Sequence, residues 1–600
     1  MTRAHGIVRG ATYVDRSPLD GARFGRMFRW LPPENYEKAD LANLAKIMIQ
    51  QETAHFRKSG EATLPPKTPV AEGPDVVFGA VPFDRDPPDT NKLLDTPYGE
   101  PEPADENPTI PAGYTYFGQF IDHDLTFDPN SSLQKQNDPD ATEDFRTPRF
   151  DLDSLYGRGP DDQPYLYKDR PVDGGGIRFL LGRQTGNPSM ERRGELPRNV
   201  EGRALTGDPR NDENGIICQV QALFLNFHNK VVDTLETARP DLKADRHRLF
   251  LEAQRIVRWH YQYLVLNDYL PRIVGEETWK RVYLGGGTKP HPHIEFYKPK
   301  DGQAYMPVEF SVAAFRFGHS MVRPSYALRR GDANVGGDAV APFAADHRFH
   351  RIPIFSDNFE ADKSLNGFGP LPPGWEIDWR LFFSAGALPT AVTGSGKDKG
   401  ILGVLPQTDT QRTQPGYRID AQIVDPLAML PPDVAKSGDQ PDGIPSLAYR
   451  NLLRGSAFSL PSGQNVARAI RVPVLSEKEL WDDTAGGSRG HDFSATASTP
   501  NPFAFRAPLW FYILKESELK GRSALPKDKA GGHHLGPVGG RIVAEVLVGI
   551  AFNDHTSFLY QDREWTPAAE KARSGFDPGT PVTTMFELAA WTTGGTMTLG

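Results

Sequence analysis

Two neighbouring stretches of helical periodicity set the strongest limit on the architecture. From Asn214 to Ala238, Ile216, Val220, Leu223, Phe224, Phe227, Val231 and Leu235 recur at three and four residues, the spacing that lines one helix face. A second stretch runs from about Ala244 to Asp268, with Leu249, Ala253, Ile256, Val257 and Leu264 inside. Such apolar stripes must be buried against further elements. Shorter helical candidates surround Leu41 to Gln51, Phe117 to Asp124, Val308 to Met321 and Gly539 to Ala551, while alternating strand-like runs are few and short. The expected fold class is mainly α, with few short strands and long loops.

Proline and glycine cluster at residues 98–113, 331–342, 432–445, 485–502 and 530–540, which reads as long surface connections between helical blocks. None looks like a true linker, so the expected organisation is an N-terminal extension over residues 1–80 and one large domain over 81–600. The net charge of −9 argues against a nucleic-acid surface as the main business. No stretch is apolar enough for a membrane span, and the first residues lack the apolar core of a signal peptide, so a leaderless export route or a cytoplasmic location is expected. The single cysteine, Cys218, excludes an intramolecular disulfide and is expected in the core.

Chemistry concentrates in a few short segments. Wound as a helix, FGQFIDHDLTF (117–127) puts Gln119, Asp122 and His123 on one face and Phe117, Phe120, Ile121 and Leu125 on the other, with Asp124 turned about 100° from His123. Polar groups on an otherwise apolar helix need partners or a cofactor, because burying them unpaired is costly. A satisfied surface patch, or a non-haem iron triad using His123, Asp124 and another histidine, are the alternatives at this point. In GDPRNDE (207–213), Asp208 and Pro209 form a good N-cap and first-turn pair, placing Arg210 and Glu213 on one face where they could simply pair. In AFRFGHSMV (314–322), Arg316 and His319 share a face opposite Phe310, Ala314, Phe317 and Met321.

Taken together and in this order, these segments with TPRFDLDSLYG (147–157) and YRNLLRG (449–455) resemble the motifs of the animal-type haem peroxidases, the peroxidase–cyclooxygenase superfamily, in a bacterial-type member related to myeloperoxidase and lactoperoxidase. The resemblance runs from about Thr109 to Leu460. It implies His123 and Arg210 above a haem iron, Gln119 near a small-anion position, and His319 as axial ligand. It further implies Asn451 accepting a hydrogen bond from His319, Arg454 on a haem propionate, and Arg316 in place of the tyrosine of fatty-acid-oxygenating relatives. Asp122 and Glu213 would link a haem b derivative covalently, while Asn214 replaces the methionine that forms the extra sulfonium link in myeloperoxidase. Asp124, Thr147, Arg149 through its carbonyl, Asp151 and Asp153 would hold calcium, which takes six to eight oxygen ligands. The activity implied is hydrogen peroxide reduction through a ferryl intermediate with oxidation of halides, thiocyanate, phenols or other aromatic donors. The alternatives are a haem-dependent fatty-acid dioxygenase and a calcium-binding adhesion or interaction protein on the same scaffold.

Overall fold

The computed structural model describes residues 24–49, 105–127, 144–168, 176–184, 187–300, 302–329, 351–355, 364–385, 413–435, 444–481, 493, 501–524 and 530–599. Helices dominate, and the strands among the described residues are short two-stranded pairings. Both long periodic stretches are helical. Ile217–Ala238 begins after Asn214, whose Oδ1 accepts from the amides of Ile216 and Ile217, and ends two residues before Pro240. Arg246–Leu264 is capped by Asp245, which accepts from the Arg248 amide, and passes into a π-turn over Val265–Tyr269 just ahead of Pro271. Proline offers no amide to the helical ladder, so a widened turn beside it is the physical outcome.

In chain order the elements that build the site are β1 (Phe24–Gly25), α1 (Lys38–Ile49), β2 (Glu106–Pro111), α2 (Gly113–Leu125), α3 (Ile217–Ala238), α4 (Arg246–Leu264), β3 (Met306–Pro307), β4 (Pro415–Tyr417), α5 (Leu447–Ala457), α6 (Leu509–Lys520) and α7 (Pro537–Asn553). The α2 helix is held by its aromatic face. Phe120 stacks on Phe224 of α3 at 4.8 Å, and Phe117 and Phe120 meet Tyr261 of α4 edge-on at 6.2 and 6.0 Å. Burial of each ring is worth roughly 1.5–3 kcal/mol, which fixes the rotation of α2 and turns Gln119, Asp122 and His123 the other way. Gly118 lets α2 approach Tyr269, whose hydroxyl lies 2.5 Å from where a Cβ would stand.

Three expectations need correction. The stretch from Val308 to Met321 is not one α-helix but a π-turn (Glu309–Ala313) joined at Ala313 to a 3₁₀ segment (Ala314–Met321). Glu309, at the start of the π-turn, accepts from the amides of Met27 and Phe28. The cluster at 98–113 is not wholly a surface connection, because it contains β2, which is largely buried and pairs antiparallel with β4. Likewise 530–540 includes the start of α7, whose Val538, Gly539 and Gly540 are buried. The remaining three clusters lie mostly outside the described residues, as does the boundary expected at residue 80. Residues 24–49 pack on the body of the fold, with β1 parallel to β3 and α1 against α5. No helix among the described residues is long and apolar enough to cross a membrane. Cys218 is buried, its thiol pushed up by burial and by the carboxylates of Glu195 and Asp212.

Candidate active site

His123 sits near the C-terminal end of α2 and is almost fully buried. Its Nδ1 lies 2.7 Å from Asn211 Oδ1, and Asn211 Nδ2 donates to Gln221 Oε1, which settles the orientation of the Asn211 amide. A carbonyl oxygen can only accept, so Nδ1 carries the proton and Nε2 keeps its lone pair. Burial, reinforced by Arg210, pushes the imidazole down to about 3 and keeps it neutral. Glu213 Oε1 is 3.8 Å from Nε2, too far for a hydrogen bond.

Arg210 meets the backbone carbonyl of His123 and is held from its own turn. The turn Pro209–Asp212 is a single 3₁₀ turn capped by Asp208, which accepts from the Arg210 amide at 2.9 Å. Arg210 does not pair with Glu213; its Nε and Nη2 donate to Asp208 at 3.1 and 2.8 Å, and Nη2 also donates to the backbone carbonyls of His123 and Thr126. Asp208, fully buried, also takes two hydrogen bonds from Arg146, at 2.9 and 2.7 Å. Two guanidinium groups hold its carboxyl well below the usual range despite burial.

Gln119 Nε2 donates to Glu213 Oε1, and Asn214 Nδ2 donates to Gln119 Oε1 at 3.3 Å. Burial pushes Glu213 up to about 7 and raises Asp122, against the pull of Arg210 and Arg316. Yet the Glu213 and Arg210 side chains keep 22% and 23% of their surface open. Both side chains are therefore partly reached by solvent. Gly318, on the segment carrying His319, faces open space, since a Cβ there would meet nothing within 4 Å.

The second histidine stands on the 3₁₀ segment, where residues three apart eclipse, so Arg316 and His319 share one line. Asn451, buried on α5, reaches His319 Nδ1 through Nδ2 at 2.8 Å, while its Oδ1 accepts from Arg316 Nη1 at 2.8 Å. The expected sense was the reverse, with Asn451 accepting from His319. Arg316 has only donors to offer, so it claims the carbonyl oxygen and turns the amide nitrogen to the imidazole. Burial, with Arg316 and Arg450, pushes His319 down to about 3. Arg450 is itself pushed down to about 10, by burial and by Arg454 one turn along α5. Arg210 and Arg316 both pull the Asp122 carboxyl down against burial, and Glu213 pulls Arg450 up, so charges from the two histidine-bearing halves act on one another.

On the far side of α2 the carboxylates of Asp124, Asp151 and Asp153 come within 4.8 Å of one another, all buried. Burial and mutual repulsion hold Asp124 far above its usual range. Thr147 Oγ1 donates to Asp151 at 2.8 Å, whereas the Arg149 side chain turns to the Gly302 carbonyl. Asp124 thus serves a different place from His123, and the grouping contains no histidine, which removes the support for an iron triad using both.

Residues 143–375 match the family described as animal haem peroxidase. That likeness covers less than half of the chain. Human thyroid peroxidase is 33% identical over 132 residues, 22% of this chain and 12% of that protein; the pig enzyme is 30% identical over 328 residues, 54% of this chain and 28% of its own length. The match therefore spans well under half of these curated relatives. Peroxidase A from Dictyostelium discoideum has the same fold, with a TM-score of 0.52 at 15% identity over 98% of this chain and 96% of that one. The family whose model matches is described as one that carries haem. The residues present suit such a group: two neutral imidazoles, arginines for propionates and polar side chains partly reached by solvent.

Asn211, Arg146 and Arg450 were not singled out from the sequence. Asn211 adjoins Arg210 within GDPRNDE, and Arg450 lies four residues before Arg454, so adjacency to a motif was the available signal.

Proposed function

We propose that this chain is a haem peroxidase that reduces hydrogen peroxide and oxidises small donors such as halides, thiocyanate or phenols. The carrying observation is the protonation pattern of His123. Its Nδ1 proton is engaged by Asn211, leaving a neutral imidazole with a free Nε2. Haem, when bound, would supply the redox-active iron that passes electrons from donor to peroxide. His319 would hold its iron, Arg450 and Arg454 would pair with its carboxylates, and Asp122 and Glu213 would be available to form esters with it. His123 Nε2 takes a proton from peroxide as it binds and returns it to the departing oxygen, a task suited to a base that is neutral at working pH. Arg210, fixed by Asp208 and two carbonyls, provides positive charge that needs no reorganisation as the oxygen–oxygen bond polarises. Gln119, tied to Glu213 and Asn214, borders the place for a small anion. Asn451, hydrogen-bonded to both His319 and Arg316, would keep that imidazole oriented toward the group it holds.

We further assign calcium to Asp124, Asp151 and Asp153, with Thr147 and the Arg149 carbonyl completing the shell. Three buried carboxylates so close together repel one another unless a cation joins them. Arg316 stands where fatty-acid-oxygenating relatives carry tyrosine, which argues against dioxygenase radical chemistry. The test is a Soret band in purified protein together with peroxide-dependent oxidation of iodide or guaiacol. Loss of the band in His319→Ala and loss of rate, but not band, in His123→Ala are expected. Full haem occupancy with ordinary spectra in His319→Ala would overturn the ligand assignment.

A further inference from the structure

Away from the two histidines, α4 forms one wall of a solvent-open cleft of about 520 Å3. Arg248, Leu251, Arg255 and Arg258 follow one another at spacings of three and four, so they line one stripe of α4 about 15 Å long. Arg239 and Leu242 stand across from them. The cations differ in how they are held. Arg258, buried at the floor, donates from Nε to the Asp151 carbonyl at 2.6 Å. Arg255 is clamped by Glu252 and Glu570 and lies over the Trp259 ring at 4.8 Å. Arg239 pairs with Asp241 at 2.8 and 2.7 Å. Arg248 is exposed, and its guanidinium meets no carboxylate among the described residues.

We infer that this cleft is a binding site for a small organic anion, a carboxylate, sulfonate or phosphate on an aromatic or aliphatic body. Its volume falls within the roughly 300–1,000 Å3 of small-molecule sites. Buried Arg258 gives a preorganised cationic floor, Arg255 with Trp259 and the side chains of Leu242 and Leu251 give the body a wall to lie on, and Arg248 adds attraction at the mouth. An extended polyanion does not suit the place. The carboxylates of Asp241, Glu252, Asp562 and Glu570 are interspersed with the arginines and would repel a long charged strand. The site is independent of the haem and of the peroxidase reading, since neither His123 nor His319 lines it.

The experiment is equilibrium dialysis of the full chain with naphthalene-1-sulfonate, beside the uncharged naphthalene-1-sulfonamide. One saturable equivalent is expected for the sulfonate, weakened by salt, with the sulfonamide bound at least about ten-fold more weakly, as for loss of a charge-assisted contact. Arg248→Glu should weaken the sulfonate about ten-fold or more by reversing charge at the mouth, and Arg248→Ala should fall between. Arg248 is exposed, so an unchanged melting temperature in both variants serves as the check on folding. No saturable binding, equal binding of the uncharged compound, or binding that Arg248→Glu leaves unaltered would each overturn the proposal, the last by putting the anion elsewhere.

Discussion

The most informative residue is Asn211, because it decides which nitrogen of His123 is free. Asn211→Ala removes the acceptor for Nδ1–H and lets the ring tautomerise or turn, so stopped-flow rates with peroxide should fall about 10–100-fold with haem content unchanged. An unchanged rate would show that the hydrogen bond is dispensable. Asp208 carries a different prediction. Its folded-state carboxyl titrates below the unfolded one, so its contribution is complete above the unfolded value of 3.8 and is lost as pH falls below that. Asp208→Asn leaves Arg146 and Arg210 without their buried counter-charge and should cost about 3–5 kcal/mol near neutrality. In denaturant melts the gap between variant and wild type should close progressively below pH 3.8; a constant gap would mean that charge is not the cause. At the ester positions, peroxide-treated Asp122→Asn and Glu213→Gln should each retain one link at most, and the double variant should release all its haem to acidic solvent.

Among elements, the loop over residues 144–153 and the 3₁₀ turn over Pro209–Asp212 are joined by Arg146. It donates to Asp208 and, at 3.4 Å, to Asp153 of the acidic cluster. A cation among Asp124, Asp151 and Asp153 would therefore be connected through Asp153, Arg146 and Asp208 to Arg210. Chelation should lower the melting temperature by several degrees and slow the peroxide reaction. In Arg146→Met the same chelation should still destabilise but no longer change the residual rate. Metal analysis beside both measurements decides it: an apo protein that melts and turns over like the untreated one would reduce the cluster to an acidic loop.

Over the whole molecule, the segment carrying His319 is braced from distant parts of the chain. Glu309 binds the amides of Met27 and Phe28, Trp510 of α6 donates to the Arg316 carbonyl at 3.2 Å, and Arg26 donates to the carbonyls of Phe458 and Ser459 just beyond α5. Removing residues 1–49 should therefore reduce haem retention as well as stability, whereas Glu309→Gln, which keeps one acceptor oxygen, should show a smaller loss of both. Gel filtration with absorbance at the Soret and protein wavelengths reads the ratio. Full haem retention in the truncated chain would make residues 24–49 a passenger.

Local features followed from the residue pattern alone: the helices whose apolar residues recur at three and four, and the side chains that share a helix face. Side chains on one helix face follow from winding alone, which is why Gln119, Asp122 and His123 could be grouped without coordinates. The tertiary structure decided which partner each polar group takes. Arg210 chose Asp208 over Glu213 because Asp208 is buried with room for two guanidinium groups, and Asn451 turned its oxygen to Arg316 because that residue can only donate. Glu309, at the start of the π-turn, likewise takes its partners, the amides of Met27 and Phe28, from some 280 residues away in sequence. Periodicity encodes burial, but the pairing of buried charges and amides depends on groups that meet only when the chain has folded.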